Sequence, residues 1–472
     1  MSVMRPSANR DAAANRTTSA PKASSSLRVI PGAGRIRPLY SLYGGNGPLP
    51  QVYASFGAKS PLMNRPSPRA YIEELRLSGF RAFENARLRL DDLTVLVGRN
   101  GSGKSTLLDA LEFVRDALSD SMENALDRRG GIQALQHRGS RSGDISIAVK
   151  LRFPSEPFEE SPLALFSSGR QPSGEDAPLT WEWGFTYGFR VGPKRGGLGF
   201  VVKDERLLFK DLREPDDGPS EQLLPQPSSA LHLPLLGDAD SEFRPLLDVL
   251  RAGIRTYNLS SAAIRAEPPV GRASTLTRDG DNAGDVLHHL QRNKQDLDWV
   301  VRHLSAITPA ISGLKASTAV GRRLIQFIQR RGKNTTSRFN VGDMSDGTLR
   351  CLAILLALRQ SPTPTLTCIE EIEDSVHPAA LGVLLDAISA SSQRGQVLIT
   401  SHSPEALSHP AVKPEHVRII EWRNGRSQIF HPSPGAHEMS KPPRSVGMLL
   451  RSNALFPAQT PERIEGDIFE SP

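Results

Sequence analysis

The stretch GRNGSGKST, Gly98–Thr106, sets glycines, a lysine and two hydroxyls in an order that suits phosphate. It matches G-x-x-x-x-G-K-[ST] at Gly98, Gly103, Lys104 and Ser105. Gly101 and Gly103 let the backbone curl, so that the N–H groups running from Asn100 through Ser102 to Thr106 converge on phosphate oxygens. The Lys104 ammonium reaches the terminal phosphates, and the Ser105 hydroxyl is a hard oxygen suited to Mg²⁺. The apolar run LTVLV precedes the loop and the helix-like run LLDALEFV follows it, so the phosphates meet the positive end of a helix.

A loop of this kind binds a nucleotide; hydrolysis also needs a positioned carboxylate. LTCIEEIED, Leu366–Asp374, is an apolar strand that ends in acids. Glu370 is expected to hold Mg²⁺, directly or through water, and Glu371 to orient or deprotonate the attacking water. VLITSHSP ends a second apolar strand in polar residues and brings His402 to the same sheet edge. There His402 contacts the terminal phosphate or the water, or else it only caps a turn. In GDMSDGTLRCLAILLAL, Ser345 and Asp346 can cap a long apolar helix and Gly347 allows close backbone approach. Taken alone, that stretch reads as an ordinary helix start rather than as a second anion site.

The elements that must carry these residues follow from periodicity. YIEELRLSGFRAFENARLRL alternates apolar and polar residues, as do DISIAVKLRF, LTWEWGFTYGFRV and LGFVVKDERLLF, which predicts antiparallel strands. From Phe243 to Ile311 apolar residues recur three and four apart, which predicts helices, and RRLIQFIQRR reads as a further strand. The first seventy residues hold ten Lys or Arg and one acid, Asp11, and read as a basic disordered tail or a start codon placed too early. The expected division is a tail, 1–70; an N-terminal lobe, 71–210; a helical insertion, 211–338; a C-terminal lobe, 339–432; and an extension, 433–472. The chain has 472 residues, 38% of them hydrophobic, so a sizeable core is available. Two cysteines, Cys351 and Cys368, lie in apolar runs, which argues against a disulfide framework and for a reducing, cytoplasmic setting. No apolar run reaches the roughly 18–20 residues of a membrane span, so no membrane partner is expected. A net charge of +7 permits a nucleic-acid partner without requiring one. The Arg-rich run Gly321–Lys333 suits phosphate contacts and an exposed strand face equally well.

In this order, the four segments resemble the ABC-class ATPases, in particular the RecF/SMC-like branch of AAA-type ATPases with a short lid. GRNGSGKS looks like Walker A, MSDGT like the signature motif, LTCIEE like Walker B, EDSVHP stands at the D-loop, and His402 stands at the switch histidine. The resemblance implies an α/β P-loop fold with a mixed central sheet, an antiparallel β subdomain and a helical lid. It also implies ATP and Mg²⁺ as ligands, with Lys104, Glu371 and His402 as the catalytic set. Two copies would dimerise head to head, ATP lying between the loop of one and Ser345–Gly347 of the other. The chain departs from the pattern at Glu370, where many relatives carry Asp, at Ile372 in place of Pro, and at His377 in place of the D-loop Asp. Gln133 and Gln136 are the candidates for the Q-loop. The target is read as DNA, in repair, chromosome maintenance or phage defence, or as a partner effector protein such as a toxin or nuclease.

Overall fold

The computed structural model describes residues 70–464, apart from 141, 155–180, 195, 197–198, 213–218, 225–226, 238–242, 333–334 and 441–443. The tail and the loop SSGRQPSGEDAP thus lie outside the described residues. The chain lays down β1 (Tyr71–Phe80), β2 (Phe83–Arg89), β3 (Leu93–Val97), β4 (Ile145–Pro154), β5 (Trp181–Pro193), β6 (Phe200–Asp211), β7 (Ser220–Leu223) and β8 (Ile254–Tyr257). It continues with β9 (Ile311–Ala319), β10 (Arg322–Arg330), β11 (Thr336–Asn340), β12 (Leu366–Ile369), β13 (Gln396–Ser401), β14 (Val417–Arg423) and β15 (Arg426–Phe430).

These form three sheets, with strand orders β2-β1-β4-β5-β6-β7, β15-β14-β3-β13-β12-β8 and β11-β10-β9. The first is antiparallel throughout, as the alternating sequences require. In the second, β14, β3, β13, β12 and β8 are parallel, and β15 closes the edge antiparallel to β14. The strands β3, β12 and β13 are buried along their whole length, which is why their sequences are uniformly apolar rather than alternating.

The parallel sheet separates two cores. Leu96, Leu366, Cys368 and Leu398 face the loop helix, Lys104–Ser119, and the antiparallel sheet. Val95, Val97, Ile369, Val397 and Ile399 face the helices Asp346–Arg359 and Pro378–Ser392. Successive side chains of a strand point to opposite faces, so each buried strand feeds both cores. The helix Asp346–Arg359 is buried from Thr348 to Leu358, as its all-round apolar sequence demands.

The stretch expected to be helical, Phe243–Ile311, contains a core strand as well. β8 pairs with β12, Ile254 opposite Leu366 and Tyr257 opposite Ile369. A strand of four residues, set between the helices Arg244–Asp248 and Ser261–Arg265, is too short to interrupt a helical pattern visibly. The extension after β15 folds back on the body: Glu462 N–H donates to Ile429 O at 2.8 Å, and Ile464 N–H to Asn85 Oδ1 at 2.9 Å. Among the described residues no helix is long and apolar enough to cross a membrane.

Candidate functional site

Parallel strands deliver their carboxyl ends to one edge. Val97, the last residue of β3, is opposite Ser401, the last of β13, and Ile369, the last of β12, is opposite Ile399. The loop after β3, Glu370–Glu371 after β12 and His402 after β13 therefore meet at that edge.

The loop is pressed against the sheet. A Cβ on Gly98 would stand 2.3 Å from Ile420 O, so only glycine fits there. Gly101 and Gly103 take φ of +76° and +107°, left-handed backbone that a side chain resists. Ser427 of β15 donates to Ser102 O at 2.6 Å and ties the loop to the sheet edge. Lys104 Nζ donates to Gly98 O at 2.7 Å and Arg99 O at 3.1 Å, so the ammonium arches over the loop. Burial pushes its pKa down, and the carboxylates of Glu371 and Glu373 act in the opposite direction. Lys104→Ala is expected to weaken nucleotide binding roughly 100-fold or more, since the cation that would meet the terminal phosphates is lost together with its two bonds to the loop carbonyls. Fluorescent-nucleotide titration checks this, and unchanged affinity would remove Lys104 from the site.

Glu371 sits at φ +46°, an uncommon conformation for a non-glycine residue. Its N–H donates to Thr400 Oγ1 at 2.8 Å, and its carbonyl accepts from Arg350 Nη2 at 2.8 Å. Arg350 comes from the helix Asp346–Arg359 and is 3% exposed. It also donates to Glu370 O at 2.9 Å and to Leu259 O. Glu370 is buried, and its carboxylate faces Arg278, Nη2 to Oε1 being 3.2 Å. The same guanidinium meets Glu112 at 2.9 Å. Glu373 accepts from His402 N–H at 2.7 Å and lies 2.9 Å from His402 Nδ1.

His402 and residues 97–102 line an open cavity of about 1250 Å³, completed by Ile419–Arg423 of β14 and by residues of the C-terminal extension, among them Phe456. Ser345, Asp346 and Gly347 line a different cavity of about 550 Å³, with Thr308, Ser375 and His377. The two share no residue. Ser345 Oγ caps its helix by accepting from Thr348 N–H at 3.2 Å. Asp346 pairs with Arg265, and hydrogen bonding to that side chain holds its carboxyl below the usual range. A Cβ on Gly347 would meet Ser375 O at 2.5 Å, so the helix start and the Ser375 turn are in contact. His377 caps the helix Pro378–Ser392 through Nδ1, which accepts from Ala379 N–H. Neither Gln133 nor Gln136 lines the loop cavity, and the Gln136 amide donates to Gly143 O at 2.6 Å.

The sequence-predicted loop residues, Glu371 and His402 are thus brought to one edge, while Ser345–Gly347 stand apart. Glu373, Arg350 and Arg278 went unforeseen. Glu373 is one more acid in an acidic run, whereas Arg350, a buried charge beside the apolar run Cys351–Leu358, carried a readable signal.

A family model described as "AAA domain, putative AbiEii toxin, Type IV TA system" matches residues 93–408. The chain is 22% identical over 388 residues to the Retron Ec83 probable ATPase of Escherichia coli, covering 71% of this chain and 69% of that protein. It is 33% identical over 93 residues to the chromosome partition protein Smc of Pyrococcus furiosus, 19% of this chain and 7% of that one. Among solved structures, an Smc head bound to the C-terminal winged-helix domain of ScpA superposes with a TM-score of 0.46 at 17% identity, over 76% of this chain and 97% of that one. The family model begins at β3, just ahead of the phosphate loop, and ends six residues past His402. The chain belongs to this AAA-domain family of ATPases.

Proposed function

We propose that the chain hydrolyses ATP as a head-to-head dimer and couples that cycle to DNA. The observation that carries the dimer is the separation of the two cavities. The cavity at Ser345–Gly347 is lined by a helix N-terminus, the loop cavity by residues 97–102 that lead into the helix Lys104–Ser119, and neither contains the other's residues. A second copy supplies Ser345–Gly347 to the nucleotide on Lys104, so that ATP closes the pair and hydrolysis opens it.

The donor set fits Mg²⁺. Ser105, Glu370 and Glu371 offer hard oxygens, and Glu373 Oε2 is buried without a partner. Among the described residues no three His, Cys, Asp or Glu side chains converge on a metal position. Mg²⁺ at phosphate sites ordinarily uses one or two carboxylates and fills the rest with phosphates and water. Bound there, the ion would neutralise charge on the terminal phosphates. For Glu370 to ligate it, its carboxylate would exchange Arg278 for the ion. Glu371 orients the attacking water and Lys104 holds the terminal phosphates.

The DNA reading rests on the sheet β11-β10-β9. Its outward face carries Lys315, Arg322, Arg330 and Arg338 and no acid, following the alternation of the paired strands. Arg323 points the other way and pairs with Asp285 at 3.0 Å. Lys315, Arg330 and Arg338 have no carboxylate partner among the described residues, which suits phosphate contacts. The triple variant K315E/R330E/R338E is expected to lower the slope of log affinity for duplex DNA against log salt by about 3. Fluorescence anisotropy with ATP present measures this, and an unchanged slope would exclude the sheet as the contact.

A second reading, a partner effector protein gated by ATP, is favoured by Trp422, Met448 and Phe456, each 55% exposed. Trp422 and Phe456 both line the loop cavity, where nucleotide state could alter them. The family's toxin–antitoxin description supports that reading too.

A further inference from the structure

Glu373 opens the segment EDSVHP, where neither the loop match nor the resemblance gives it a task of its own, yet it holds His402 at two points. One oxygen, Oε1, accepts from His402 N–H at 2.7 Å and lies 2.9 Å from His402 Nδ1. The carboxylate is well covered, its side chain 12% exposed, whereas the His402 side chain is 52% exposed. The segment that carries it is rigid by construction. Ile372 is fully buried, Asp374 N–H donates to Glu371 O at 2.9 Å, and Val376 N–H donates to Glu373 O at 3.1 Å. Glu371 and Glu373 flank the anchored Ile372, and both carboxylates act on Lys104. They therefore belong to the same side of the site.

A carboxylate can only accept, so a hydrogen bond to it places the ring hydrogen on Nδ1. The neutral ring then carries its lone pair on Nε2. His402 borders the cavity with the loop residues from Gly98 to Ser102. We propose that Glu373 is a positioning residue for ATP hydrolysis: it fixes the orientation and tautomer of His402, so that Nε2 is presented to the loop as an acceptor for the attacking water. This assigns His402 a place beside Glu371 at the water rather than that of a donor to the terminal phosphate. It rests on reading the loop as an ATP site.

The test combines kinetics with a readout that needs no turnover. Glu373→Ala is expected to lower kcat about 10- to 100-fold while KM for ATP changes less than about threefold, the range found when residues that orient a catalytic group are removed. Glu373→Gln keeps an acceptor oxygen for the ring and is expected to lose less of the rate than Glu373→Ala. In a double-mutant cycle, Glu373→Ala added to His402→Gln should cost nothing further. Nitrogen-15 histidine spectra, with the His402 signal assigned by its loss in His402→Gln, should show Nδ1–H in the wild type and a shift towards Nε2–H in Glu373→Ala. Additive losses in the cycle, or a wild-type His402 without its proton on Nδ1, would overturn the proposal. If the wild type bound no ATP, the ATP reading itself would fail, and the tautomer result would still stand or fall alone. Should Glu373→Ala misfold, Glu373→Gln and Glu373→Asp carry the same spectral comparison.

Discussion

Glu371→Gln is expected to bind ATP with near wild-type affinity and to turn it over at least about 10²-fold more slowly, within the 10²–10⁴ range that a positioned general base contributes. The substitution is close to isosteric. The two backbone bonds that hold Glu371 at φ +46°, to Thr400 Oγ1 and from Arg350, do not involve its carboxylate. The fold of the edge should therefore survive while the acceptor for the water's proton is lost. Lys104 also loses one of the two carboxylates that offset its burial, so a modest change in affinity is expected. If ATP closes the dimer and hydrolysis opens it, the variant accumulates as an ATP-loaded dimer. Phosphate release, fluorescent-nucleotide titration and size-exclusion with ATP separate these effects. Wild-type turnover would sink the role assigned to Glu371; a slow but monomeric variant would sink the dimer and leave that role intact.

Arg350→Ala is expected to damage both stability and turnover. The guanidinium is buried and donates to Leu259 O, Glu370 O and Glu371 O, and it stands 3.6 Å from Asp374. Removing it strands buried carbonyls at a cost of about 1–3 kcal/mol each, so a loss of about 3 kcal/mol or more is expected. The helix that carries Arg350 also carries Ser345–Gly347 at its start. The clamp thus links the helix that starts at Ser345–Gly347 with the backbone of Glu371. Arg350→Lys keeps the charge but replaces a planar fork by a point donor, so it should recover stability only in part. Thermal unfolding and turnover are measured on both variants. Wild-type unfolding by Arg350→Ala would show that the clamp contributes little.

The contrast between Gly98–Ser105 and Glu373 shows where sequence reading stops. The loop's needs are local: glycine where backbone turns left-handed or touches Ile420 O, lysine and serine at set distances from it. Those needs leave a pattern within nine residues, so the loop could be read directly. The burial of β3, β12 and β13 could also be read, because a strand covered on both faces is apolar throughout. Strand ends then carried Glu371 and His402 to a common edge without further information. β8 left no such trace, since its pairing with β12 depends on residues more than a hundred positions later.

Partnership between distant side chains was likewise decided only in three dimensions. Arg278 meets Glu370 across 92 positions, Arg350 meets Leu259 across 91, and Glu373 meets His402 across 29. Nothing in the residue types alone says that the buried Glu370 faces a guanidinium, or that one acid of Glu370–Asp374 holds a histidine ring. By itself the sequence determined the phosphate loop, the acids and histidine at strand ends, and the family. Tertiary structure decided which acid holds which partner and that Ser345–Gly347 lie in a separate cavity, because hydrogen-bond geometry and burial depend on packing between elements far apart in the chain.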